Sequence, residues 1–222
     1  MLAILTAGIA PGLALLSYLY IKDHYGMEPF TVVFKAFLFG SILVFPIMFI
    51  QYVWQAEQIT SSDLLTSFLM TGFLEEFFKW FILYFMIYSH ISFDEPYDGI
   101  VYASAVSLGF ATAENIFYLV ANGVEFAFGR ALLPVSSHCL FGIVMGYYYG
   151  KGKFGMENGK WHLFLALIIP VILHGMYDYI LDRETHWIYF IGPFMIFLWC
   201  LGIWKVKKAR MLSDIHASGG HS

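Results

Sequence analysis

The sequence predicts an all-α fold, a polytopic membrane helix bundle of about seven transmembrane helices, and three observations predict it. Hydrophobic residues make up 59% of the 222 positions and charged residues only 13%, with a mean hydropathy of +0.69. A soluble domain of this size has too little interior to hide that much apolar surface. The apolar residues also fall into runs of about twenty, the length that crosses the hydrocarbon at 1.5 Å per residue. Finally, most charges lie between these runs. The net charge of −4 is small and dispersed, which argues against a nucleic-acid partner.

Seven spans follow in order: 2–21, 31–53, 64–88, 98–120, 128–149, 161–181 and 187–204. The first lacks the basic leader and small-residue cleavage site of a removable signal, and reads as a retained helix. Pro11, Pro46, Pro134 and Pro170 fall within or near the start of spans, where neighbouring helices satisfy the backbone groups a proline frees. The third span holds Glu75, Glu76 and Lys79 but has long apolar runs on both sides. Only residues 182–186 separate the last two. This organisation predicts one transmembrane domain over 1–204 and a short basic-then-polar tail over 205–222. Cys139 and Cys200 both lie in apolar runs and read as buried packing thiols, not a disulfide.

The basic residues predict an orientation. Lys205, Lys207, Lys208 and Arg210 mark the C-terminal tail as cytoplasmic. Counting back through seven spans puts the N-terminus outside. Nine basic residues then face the cytoplasm and two, Arg130 and Arg183, the outside; Lys79 lies in a span. In this frame Glu75 and His138 lie roughly 15–16 Å below the outer boundary, and Glu114 and His174 roughly 9–10 Å. Four helices thus deliver polar groups to the outer half of the membrane.

Those groups are costly there. A charge at the centre of a span costs roughly 2.5–3.5 kcal/mol on insertion scales. Glu75, Glu76, Lys79, Glu114, His138, His174 and Asp178 must therefore point towards one another, a ligand or water. Lys79 is within helical reach of both glutamates, so one can pair with it while the other faces a cavity as a base. His174 and Asp178 are four apart on one helix face, which suits an acid that orients the imidazole. Glu114-Asn115 adds a carboxylate and an amide. Such a set can hydrolyse a peptide bond, with glutamate deprotonating water and histidine or Asn115 stabilising the oxyanion. The same set can hold zinc, with His138, His174 and Glu114 as the candidate ligands, although no H-E-x-x-H is present. Ser136 and Ser137 form no recognised nucleophile motif. A small proton-coupled transporter and a noncatalytic scaffold are the alternatives from other classes.

At these residues the chain resembles the PrsW family of intramembrane proteases, over nearly its whole length. The segments that carry the likeness are AGIAPGLALLSYLY, FPIMFIQYV, GFLEEFFKWFIL, DEPYDGIVY, SLGFATAENIFYL, RALLPVSSH and HGMYDYIL. The resemblance implies a bacterial plasma-membrane enzyme that makes the site-1 cut in a membrane-anchored anti-sigma factor of the RsiW type, releasing a sigma factor in envelope stress. A wider likeness, to the CAAX prenyl endopeptidases, rests on the patterns EExxxR, FxxxH and HxxxN. Here these read as Glu75-Glu76 with Lys79, Phe110-x-x-x-Glu114 and His174-x-x-x-Asp178. The resemblance implies Glu75 as general base, with Glu76 supporting or interchangeable, and His174 at the oxyanion or the water; His138 can supply the base's imidazole partner from the next helix.

Overall fold

A computed structural model describes all residues except 24, 25, 61, 156, 157, 184, 185 and 220–222. Two of the unplaced residues fall in the 182–186 connection, and the last three residues of the tail also lie outside the described set. Among the described residues the structure is helical throughout, with no strand. The helices are α1 (Leu2–Ile21), α2 (Phe30–Ala56), α3 (Leu74–Met86), α4 (Asp98–Asn122), α5 (Ser136–Phe154), α6 (Gly159–Leu181) and α7 (Trp187–Gly219). Six stretches are long and apolar enough to cross a membrane: α1, α2, α4, Val124–Phe154 containing α5, α6, and α7. The remaining predicted span holds α3 and begins in a different kind of helix. After a short turn at Asp63–Leu65, the chain winds as a π-helix over Thr66–Phe73.

α4 forms the centre of the bundle. Its apolar window is 78% buried, against 22% for α1 and α7, because its sequence is rich in Gly, Ala and Ser. Small residues allow backbones to touch, and in a bilayer close packing is what holds helices together. The α2–α4 contact shows how closely. A Cβ on Gly109 would lie 1.9 Å from Phe37 O, and one on Gly40 would lie 2.0 Å from Val106 O. Between these points Ser41 Oγ donates to Gly109 O at 3.0 Å. The outer helices turn large apolar side chains outward, among them Phe45, Phe49 and Tyr52 of α2 and Ile188, Phe190 and Ile196 of α7. In water such a surface would aggregate; against lipid tails it is matched.

Two expectations need correction. Cys139 is buried as read from the sequence, but Cys200 is exposed on the outer side of the bundle. The last predicted span also does not end at residue 204, because α7 continues unbroken to Gly219. Ala209 and Ser213 in this extension are buried, Ser213 Oγ accepts from Tyr97 N at 3.1 Å, and Arg210 donates to Lys22 O at 2.7 Å. Most of the basic tail is therefore a helix docked on the ends of α1 and α4.

Candidate active site

Glu75, Glu76 and Lys79 occupy the start of α3, directly after the π-helix. The cause of that irregular winding is local. Ser67 Oγ donates to Asp63 O at 2.8 Å and Thr71 Oγ1 to Ser67 O at 2.6 Å, each competing with the regular backbone ladder four residues back. The wider turn re-aims every residue that follows. The π-helix itself packs closely on α6: a Cβ on Gly72 would lie 2.9 Å from Val171 O, and one on Gly175 2.6 Å from the Phe68 ring. A second π turn, Ala131–Val135, precedes α5 and His138 in the same way. Pro134 supplies no N–H to the ladder there. Both groups of polar residues thus follow a break in regular winding.

Lys79 is the hub. Its Nζ lies 2.8 Å from Glu76 Oε1, 3.4 Å from Glu75 Oε2 and 3.2 Å from His138 Nδ1, over the face of Phe110. An ammonium only donates, so His138 Nδ1 accepts and its proton sits on Nε2. That nitrogen faces Glu114 Oε2 at 3.2 Å. Glu114 Oε1 in turn receives Arg130 at 3.0 Å. His174 Nδ1 lies 2.9 Å from Glu76 Oε1, and its Nε2 lies 3.2 Å from Asp178 Oδ2 and 3.9 Å from Glu75 Oε2. The Asp178 approach is close enough for charge attraction but is not aligned as a hydrogen bond. Glu75, Glu76, Lys79, His138 and His174 are all at least nine-tenths buried.

The two glutamates are not equivalent. Glu76 is fully enclosed and takes the shorter bond to Lys79. Glu75 turns one oxygen the other way, where Oε1 accepts from Gln51 Nε2 at 3.1 Å. Gln51 also donates to Met70 O at 3.0 Å and forms part of the wall of a cleft of about 830 Å³. This cleft lies between the end of α2 and the π-helix, and Gln55, Gln58, Thr66 and Thr71 give it a polar lining. Glu75 is therefore one side chain behind a water-accessible surface.

The sequence-predicted residues converge, with one qualification. Asn115 is buried but spends its amide elsewhere, donating to Gly8 O at 3.1 Å and accepting from Arg130 Nε at 3.4 Å. It ties α1 to α4 through one of its two amide N–H groups. Ser136 and Ser137 are likewise bonded to backbone carbonyls in the preceding turn. Sequence reasoning missed Gln51 and Arg130. Gln51 carried a faint signal as a lone amide in an apolar run. Arg130 was counted as a loop charge, although Glu114 is its partner.

Comparison with known proteins gives a consistent result. A family model described as PrsW family intramembrane metalloprotease matches residues 28–203. Two relatives named "Protease PrsW" come from Geobacillus kaustophilus and Bacillus subtilis. The first is 55% identical over 95% of this chain and 93% of its own length, the second 56% over 96% and 98%. A third so named, from Clostridioides difficile, is 34% identical over 90% of this chain and 88% of its own length. No solved structure matches.

The family description implies a metal, and the residues fit one. Glu75, Glu76, His138 and His174 each offer a ligand atom, all within 4.8 Å of one another. Two imidazoles with a carboxylate is a known catalytic zinc set. With Nδ1–H of His174 donating to Glu76, loss of the Nε2 proton would leave a lone pair beside Glu75 Oε2, and Glu76 Oε2 is buried without a donor. A cation would satisfy these atoms. Lys79 already neutralises part of the same set, so a metal would share it with the ammonium or displace it.

Proposed function

Because the chain belongs to the PrsW family of intramembrane metalloproteases, we propose that it makes the first, extracytoplasmic cut in a membrane-anchored anti-sigma factor, with Glu75 as the general base. The observation that carries the reading is the position of Glu75. It belongs to a buried cluster of acid, ammonium and imidazole groups, yet reaches a polar cleft through Gln51. A carrier built on the same groups finds no support, since the relatives described above are all named proteases.

In this mechanism an extended substrate segment enters the cleft beside α2 and the π-helix. The nucleophile is a water that contacts both Glu75 Oε2 and His174 Nε2, which lie 3.9 Å apart. Glu75 takes the water's proton as the oxygen attacks the scissile carbonyl. Glu76 and Asp178 hold the His174 ring in place, and Glu114 and Lys79 hold His138. Glu75 then passes its proton to the departing amine, which closes the proton balance. A bound zinc would acidify the water and polarise the carbonyl. Lys79 keeps the two adjacent carboxylates from repelling one another throughout.

The orientation belongs to the same proposal: N-terminus outside, C-terminus cytoplasmic, and the cleft opening outward. Co-expression with an anti-sigma factor tagged at both ends is expected to yield a fragment cut on its extracytoplasmic side. Absence of cleavage with this substrate, or a cut on the cytoplasmic side, would overturn the assignment. A metal makes a separate prediction. Purified protein is expected to contain near-stoichiometric zinc, depleted in His174→Ala; fully active protein free of metal would exclude it.

A further inference from the structure

At the end of the bundle remote from Glu75, a second group of carboxylates gathers where three connections meet. Asp23 follows α1, Glu28 precedes α2, and Asp94, Glu95 and Asp98 lead into α4. Asp23, Glu95 and Asp98 each place a ligand oxygen within 4.8 Å of the other two, as do Glu28, Asp94 and Asp98. A cavity of about 270 Å³ opens beside them, lined by Glu28, Ser92, Asp94 and Glu95.

Two further observations separate this group from an ordinary acidic surface. Asp98 is fully buried and Glu95 is 8% exposed. Asp98 Oδ2 accepts from the backbone N–H groups of Asp94 at 2.9 Å and Glu95 at 2.7 Å, yet Asp98 Oδ1 and Glu95 Oε1 are buried with no hydrogen-bond donor. Buried polar atoms without partners are rare and call for an explanation such as an ion. Among the described residues, the nearest cations direct hydrogen bonds to backbone carbonyls. Lys153 Nζ donates to Phe93 O at 2.6 Å and His90 O at 3.4 Å, and Arg210 to Lys22 O. Among the described residues, no ion pair reaches Glu28, Asp94, Glu95 or Asp98.

We propose that Asp23, Glu95 and Asp98 bind a hard divalent cation, Mg²⁺ or Ca²⁺, which enters past Glu28 and Asp94. The donor set is oxygen only, which selects these ions over zinc. The ion would clamp the α1–α2 connection to the start of α4, the helix that carries Glu114, with α7 packed alongside through Ser213. Its effect on the catalytic cluster would run through the position of α4.

The test uses the full chain, stripped with EDTA and placed in nanodiscs of zwitterionic lipid. Terbium(III) is added and excited through the nearby tyrosines, Tyr97 and Tyr102. The expected result is saturable luminescence that Mg²⁺ and Ca²⁺ displace, with affinity lowered on the order of tenfold or more in both Glu95→Gln and Asp23→Asn, since affinity follows ligand charge. Glu125→Gln, an exposed acid elsewhere, should bind as wild type. The thermal midpoint of each metal-free variant shows that it folds, and a midpoint that rises saturably with Mg²⁺ in wild type but not in Glu95→Gln or Asp23→Asn reports binding at this site. Absence of saturable binding overturns the proposal, as does unchanged binding in both Glu95→Gln and Asp23→Asn. Loss of the signal in His174→Ala alone would move the ion to the catalytic cluster and also overturn it.

Discussion

Glu75→Gln is expected to lower proteolysis by about 10²–10⁴-fold, the usual contribution of a positioned general base. Glutamine keeps the shape but has a single acceptor oxygen, so it keeps the bond from Lys79 or the one from Gln51 and not both; Lys79 retains Glu76, so the bundle should still assemble. Glu76→Gln should behave differently. Glu76 holds Lys79 at 2.8 Å and His174 at 2.9 Å but has no route to the cleft. Losing its charge should misplace both partners and cost about 10–100-fold, as for groups that orient a catalytic shell. Cleavage measured in membranes at matched protein levels separates the two. Equal losses in both variants would mean that the carboxylates share the proton, and would contradict the division of roles.

The largest expected effect on stability comes from Lys79→Met. The ammonium is fully buried and touches two carboxylates and an imidazole. Removing it leaves Glu75 and Glu76 with only the His174 imidazole as an ion-pair partner, and breaking a buried pair from one side costs about 3–5 kcal/mol. The double variant Glu76→Gln/Lys79→Met removes both charges of the tighter pair and should recover much of that loss. Thermal unfolding of the purified proteins in one lipid mixture is the measurement. If the double variant is no more stable than Lys79→Met, the lysine contributes mainly through packing on Phe110.

Much of this was legible in the sequence because lipid punishes charge so consistently. Glu75, Glu76, Lys79, Glu114, His138 and His174 stood out in apolar runs, and the requirement that they face inward predicted their convergence. Among the described residues, six of the seven spans followed from run length. The π turns at Thr66–Phe73 and Ala131–Val135 were not legible. Hydroxyls such as Ser67 and Thr71 are common in membrane helices, and whether one displaces the backbone ladder depends on packing. Arg130 was hidden for a related reason: charge counting treats every basic residue near a span end as solvated. The docked helix of residues 205–219 and the carboxylates around Asp98 were missed because their meaning lies in contacts between chain ends. The packing role of Asn115 was not legible either, since an amide beside a catalytic acid can as easily be spent on a neighbouring helix.

The most direct test of the catalytic assignment is to map the cut made by purified protein in nanodiscs on an anti-sigma factor segment embedded in the same bilayer. Mass spectrometry of the products should reveal a single new terminus on the extracytoplasmic side with wild-type protein, and none with Glu75→Gln over the same interval. The same cut at an undiminished rate in Glu75→Gln would show that the base lies elsewhere, and would contradict the account.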